Sequence, residues 1–257
     1  MKGVLCDLDG VIYQQGQAID GAAASLVAMS QQGLAVRFVT NNSTLCRKGI
    51  ATRLAAMGVR VAPEHIFTPV VTAHHWLQGQ GLSRLLVAMP EAAMADLGDW
   101  QPSPDRPQAV LIGDLGEAWD YQRLNELFQA LMGANRPPLL SLGLTRYYRG
   151  DQGLRLDVGP MAKALEFASD CPLVITGKPA ELIFTTACRD MDLAPEDCVM
   201  VGDDIRSDIH GAQLAGLKGV LVKTGKFRPE DLQGELRPDG VIDSVAALPD
   251  WLARHGR

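Results

Sequence analysis

Two aspartates, Asp7 and Asp9, follow the apolar run Val4-Leu5-Cys6 and precede Gly10. Residues two apart on an extended chain point the same way, so both carboxylates can address one ligand. The same residues also suit a plain turn with Gly10. A second acidic group, Asp203 and Asp204 with Asp208 beyond, follows Val199-Met200-Val201-Gly202. Carboxylates gathered at strand ends need a cation or a proton to balance them. Hard oxygen donors on neighbouring strand ends are what Mg²⁺ takes, together with water and a substrate phosphate. In this second group Asp203 is the preferred ligand, whereas Asp204 and Asp208 suit a helix cap or a supporting acceptor.

Phosphate-binding chemistry is present as well. Thr40, Asn41, Asn42 and Ser43 follow the apolar run that ends at Val39 and lead into a helix, whose free N–H groups favour anions. Asn42 and Ser43 serve equally well as simple caps. Lys178 lies in Gly177-Lys178-Pro179 between the run Leu173–Thr176 and a helix, with Pro179 suited to the first helical turn. A lysine aimed at clustered carboxylates fixes a nucleophile and offsets charge on a transferring phosphoryl group; the alternative is a solvated side chain.

The elements that must position these groups are short apolar runs alternating with helical periods, the pattern of parallel strands crossed over by helices. Val4–Leu8, Val36–Thr40, Val199–Gly202 and Val220–Val222 lack polar alternation, so they are expected at the centre of a sheet buried on both faces. Ile50, Leu54 and Met57 mark a covering helix that ends at Gly58, and Asp20 is placed to cap the helix that stops near Gly33. The middle of the chain has its own strands, Leu85–Met89, Ala109–Ile112 and Leu139–Leu142, and a helix with Tyr121, Leu124, Phe128 and Leu131 on one face. Proline-marked loops at Pro102, Pro104 and Pro107 and at Pro137-Pro138 fall inside this middle segment. The expected fold class is therefore α/β: a core of residues 1–71 and 178–257 around an inserted domain of residues 72–177.

Composition narrows the function. Among 257 residues, 30 acidic against 24 basic side chains give net charge −6, so no broad cationic field draws nucleic acid or an anionic bilayer. No apolar run approaches the roughly 20 residues that span a membrane. The chain opens Met1-Lys2-Gly3 straight into an apolar strand, without the features of a signal peptide, which points to a cytoplasmic protein. Five scattered cysteines without a paired spacing read as reduced packing thiols, and Cys6 beside carboxylates is disfavoured as a thiolate.

Four pieces in order, DLDGVI at 7–12, VTNNS at 39–43, GKP at 177–179 and VGDD at 201–204, resemble the haloacid dehalogenase-like superfamily over essentially the whole chain. The insertion between the second and third pieces resembles a C2-type cap on a doubly wound, Rossmann-like core. Segments 146–160 and 221–231 narrow the resemblance to the subgroup acting on pyrophosphate, phosphohistidine and phospholysine. The resemblance implies that Asp7 attacks phosphorus to form an aspartyl-phosphate, and that Asp9 protonates the leaving group and then activates water. It implies Mg²⁺ held by the Asp7 side chain, the Asp9 backbone carbonyl and Asp203, with Asp208 in support and Thr40, Asn41 and Lys178 on the phosphoryl oxygens. A small phosphorylated substrate and a homodimer follow from the same resemblance. Nucleotide, phosphoglycolate and sugar-phosphate hydrolysis are the alternative activities. A receiver-like phospho-acceptor is a distant one, opposed by the chain's length and by the Asp7-x-Asp9 spacing.

Overall fold

The computed structural model describes residues 1–150 and 153–255. Asp151 and Gln152, inside the 146–160 segment singled out above, and the last two residues of the chain lie outside that range.

The chain divides into two compact units, one of Met1–Thr40, Arg47–Phe67 and Lys178 onward, the other of Asn41–Cys46 and Thr68–Gly177. In the first, six strands lie in the order Gly240–Ile242, Lys218–Val222, Cys198–Gly202, Gly3–Cys6, Ala35–Val39, Ile66–Phe67. Every pairing is parallel. Val4, Leu5, Cys6, Val199, Met200 and Val201 are all fully buried, as the unbroken apolar runs require of strands covered on both faces. The chain winds outward from Gly3–Cys6 to one edge, then restarts at Cys198–Gly202 and winds to the other. The winding reverses between those two strands, and at such a reversal the connections leave in opposite directions and open a crevice at the carboxyl ends.

Helix Arg47–Ala56 buries Ile50, Ala51 and Leu54 in this unit. The capping role expected of Asp20 is not taken up. Helix Ala22–Gln31 starts after Gly21, which has φ 79°, and no side chain caps it. Glycine reaches that conformation without a Cβ penalty, so backbone freedom makes the turn instead.

The second unit carries five parallel strands in the order Leu173–Ile175, Leu139–Ser141, Ala109–Ile112, Arg84–Ala88, Gln101–Pro102. Helix Pro69–Gly79 packs Val70, Ala73 and Leu77 in one apolar cluster, and helices Tyr121–Leu131 and Val158–Ser169 pack Leu127, Leu131, Ala162 and Leu165 in another. Helix Tyr121–Leu131 departs from the expected face in one residue. Leu124 and Phe128 do pack with Leu127 and Leu131, but Tyr121 is 83% exposed. It is the first residue after the Asp120 cap, and the helix packs through its later turns. An antiparallel hairpin, Tyr147–Gly150 with Gly153–Leu156, completes the unit. Among the described residues no helix is long and apolar enough to cross a membrane.

Candidate active site

The parallel register sets Gly3 beside Cys198 and Cys6 beside Val201, so Asp7 and Asp203 leave adjacent strands at the same end. The Asp7 backbone N–H still donates to the Val201 carbonyl at 2.9 Å, which ties the two strand ends together. Asp204 turns the chain, because its Oδ1 accepts from the N–H groups of Arg206 and Ser207, each at 3.0 Å. That cap starts a π-type helical segment, Ile205–His210, on which Asp208 is fully buried. Asp204 thus takes the capping role open to it, while Asp208 returns to the other carboxylates.

Lys178 joins the two sides. Its Nζ lies 2.8 Å from Asp7 Oδ1 and 2.8 Å from Asp208 Oδ1, and all three side chains are buried. Pro179 does not occupy a first helical turn: helix Glu181–Asp190 begins two residues later, after Ala180. Carboxylate oxygens of Asp7, Asp203 and Asp208 fall within 4.8 Å of one another. Three buried carboxylates against one lysine leave an excess of negative charge, and the site's titration behaviour reflects it. Burial pushes the Asp203 carboxyl up to about 7, the charge of Asp7 adding to the effect and the N–H of Lys226 opposing it. Burial raises Asp208 in the same direction, with Lys178 opposing. Burial works against a charged Lys178, but Asp208 and Asp7 outweigh it and hold the ammonium protonated. Cys6 is raised by burial first and by Asp7 second, which removes it as a thiolate nucleophile.

One atom is out of balance. Asp203 Oδ2 accepts from the Lys226 N–H at 2.6 Å, yet Asp203 Oδ1 is buried with no hydrogen-bond partner. A buried acceptor with nothing to accept from is costly in a finished protein interior. A hard cation among three carboxylate oxygens removes both the orphan and the excess charge, so the donor set fits Mg²⁺.

The remaining expected residues are placed as follows. Thr40 is buried at the carboxyl end of Ala35–Val39, and its N–H donates to the Phe67 carbonyl at 3.0 Å. Asn41, the next residue, belongs to the second unit and is exposed. There it lines a cavity of about 390 Å³ with Asn42, Ser43, Thr44, Asp114, Thr145, Tyr148 and Asp157 among others. Asn42 Oδ1 accepts from Thr44 N at 3.1 Å and Leu45 N at 3.0 Å, a local turn that closes before helix Arg47–Ala56 begins and so does not cap it. Asp9 is exposed, and its side chain lies outside the three-carboxylate group, where Asp208 is the third member. Sequence reasoning used segment 221–231 only for the resemblance and missed that the turn Thr224-Gly225-Lys226 inside it holds Asp203 through its backbone. A glycine shortly after the strand Lys218–Val222 was the available signal.

Aspartates on both strands flanking a winding reversal, with a buried lysine drawn between them, define an aspartate-based enzyme of the doubly wound α/β class. Two family models match: haloacid dehalogenase-like hydrolase over residues 4–100 and HAD-hydrolase-like over residues 175–248. Phospholysine phosphohistidine inorganic pyrophosphate phosphatase of Danio rerio is 38% identical over 97% of this chain and 93% of its own. Among solved structures, p-nitrophenyl phosphatase from Archaeoglobus fulgidus shares the fold with TM-score 0.88 and 23% identity, covering 98% of this chain and 99% of its own. Glycerol phosphate phosphatase of Mycobacterium tuberculosis, solved in complex with magnesium, superposes with TM-score 0.82 at 29% identity, covering 96% of this chain and 76% of its own. The chain belongs to the haloacid dehalogenase-like hydrolases and is a phosphatase of that family.

Proposed function

We propose that this phosphatase is Mg²⁺-dependent, with Asp7 as nucleophile, and that it acts on small molecules or side chains carrying a phosphoryl group on nitrogen or in an anhydride. The orphaned oxygen of Asp203 beside Asp7 and Asp208 carries the metal reading. Asp7, Asp203 and Asp208 are the side chains offered to the ion, with the Asp9 backbone carbonyl as the further ligand implied by the family resemblance. The bound ion would supply charge neutralisation for an anionic nucleophile meeting an anionic phosphate.

The chain's own residues account for the rest. Leu8 N–H and Lys178 both hold Asp7 Oδ1, at 2.7 and 2.8 Å, so Oδ2 is the oxygen offered to phosphorus. As the Oδ2–P bond forms, the bond from phosphorus to the leaving group breaks and Asp9 gives that group a proton. Water then attacks the aspartyl-phosphate, Asp9 takes the water's proton, and the products are inorganic phosphate and free Asp7. Asp9 is suited to this exchange because its carboxyl is exposed, outside the buried cluster. Lys178, Thr40 and Asn41 are the proposed partners of the phosphoryl oxygens.

For the substrate, the Danio rerio relative's name specifies phospholysine, phosphohistidine and inorganic pyrophosphate. That relative supports nitrogen-linked and anhydride substrates for this chain. Within the second unit, the cavity lined by Asn41 carries Asp114 and Asp157, and no lysine, arginine or histidine is among the described residues that line it. Burial, with Asp114 adding to it, holds the Asp157 carboxyl above the usual range. We read the second unit as the cap of C2 type. A homodimer is consistent with the hairpin, where Tyr147, Leu154 and Leu156 are 56%, 64% and 60% exposed.

The test is phosphate release from pyrophosphate, phosphohistidine, phospholysine, nucleoside monophosphates, phosphoglycolate and glycerol phosphate, with and without Mg²⁺, for wild type and Asp7→Asn. Mg²⁺-dependent turnover lost in Asp7→Asn, with preference for pyrophosphate, phosphohistidine or phospholysine, is the expected result. Preference for glycerol phosphate or a nucleotide overturns the substrate reading, and turnover surviving in Asp7→Asn overturns the mechanism.

A further inference from the structure

The turn Thr224-Gly225-Lys226 lies across the loop that carries Asp9 and Gly10. The Thr224 hydroxyl donates to the Gly10 carbonyl, and the Lys226 N–H donates to Asp203 Oδ2 at 2.6 Å. Gly10 and Gly225 both take positive φ, 82° and 63°. The two backbones press together: a Cβ on Gly225 would stand 2.6 Å from Gly10 Cα, and a Cβ on either glycine would overlap Asp203 Oδ2. Asp203 is therefore packed between two glycine backbones, with one oxygen satisfied and Oδ1 left as its only open oxygen.

Resting on the metal reading above, we propose that Gly10, Thr224, Gly225 and the Lys226 N–H form a clamp that aims Asp203 Oδ1 and thereby sets the affinity for the divalent cation. These are positioning residues. Without the clamp Asp203 has rotamers that turn both oxygens toward other partners, and each ion bound must first pay for ordering it. A hydrogen-bonded partner behind a metal ligand commonly changes affinity by about 10- to 100-fold when lost. The backbone, rather than the lysine side chain, does the holding. That side chain is 69% exposed, with Nζ 3.6 Å from Asp204 Oδ2.

Calorimetric titration of the whole protein with MgCl₂ at about pH 7.5, without substrate, tests this. Gly225→Ala adds a Cβ where Asp203 Oδ2 sits, so its Kd for Mg²⁺ rises at least about 10-fold, and kcat at saturating Mg²⁺ falls by less than the affinity does. Lys226→Ala keeps the N–H and removes a nearby cation, so Mg²⁺ binds tighter, by up to about threefold for so exposed a charge. Should Gly225→Ala not fold, Thr224→Ala introduces no clash and weakens Mg²⁺ by about three- to tenfold, with Thr224→Ser restoring the wild-type value. A wild type that gives no binding heat overturns the metal reading and the clamp together. A wild type that binds, with Gly225→Ala and Thr224→Ala binding equally well, overturns the clamp alone. So does a Lys226→Ala loss as large as that of Gly225→Ala.

Discussion

Replacing Asp203 with asparagine should stabilise the metal-free protein, although it removes a ligand of the proposed metal site. In the folded chain the Asp203 carboxyl titrates at about 7, whereas in the unfolded chain a free aspartate titrates near about 3.9. A folded pKa above the unfolded one stabilises fully below about pH 4, and that stabilisation is lost as pH rises toward 7. Between pH 5 and pH 8 the loss is about 3 kcal/mol, taking about 1.4 kcal/mol per pH unit. Asp208, raised by burial, drifts the same way. The asparagine imitates the neutral carboxyl and turns the orphaned acceptor into a donor facing Asp7 and Asp208. In Asp203→Asn the advantage over wild type is up to about 4 kcal/mol at pH 8 and shrinks by about 3 kcal/mol at pH 5. Urea unfolding in EDTA at the two pH values, followed by circular dichroism, measures it. Adding Mg²⁺ should raise wild-type stability at pH 8 far more than at pH 5, where protons compete, and should do nothing for Asp203→Asn. The reasoning fails if the metal-free variant is less stable than wild type at pH 8, or if its advantage does not change with pH.

Lys178→Met strips the shared counter-ion from Asp7 and Asp208, so unfolding free energy near pH 7.5 falls by about 3–5 kcal/mol along with loss of turnover; urea unfolding decides, and a neutral result would show the ion pairs are not holding the site. On the proposed homodimer, Leu154→Arg places a charge on the exposed hairpin and should give a monomer where wild type gives a dimer in light scattering; a monomeric wild type refutes the dimer reading.

Much of the core could be read from the chain alone. Val4-Leu5-Cys6 and Val199-Met200-Val201 have no polar alternation because both faces of their strands are covered, and that is a local signal. The failures lay at helix starts. Asp20 has a capping side chain, but the position before the helix went to Gly21 with its positive φ. Tyr121 has the right spacing, but which turns of a helix find a partner depends on what lies across from them.

The sequence by itself determined the chemistry on offer: carboxylates at two strand ends, a lysine after a third, and no charge field for nucleic acid. Residue type and strand-scale periodicity are properties of a few neighbours, so they can be read in isolation. Only the tertiary structure decided which of those carboxylates meet. Gly3–Cys6 and Cys198–Gly202 pair in register across almost the whole chain, and that register, not any local preference, brings Asp7 to Asp203. The π-type segment returns Asp208 to the group while Asp204 stays behind as its cap, although the two are equally acidic in sequence. The hold on Asp203 comes from the Lys226 backbone N–H. Every residue but proline has that group, so its use leaves no mark on the sequence until the chain is folded.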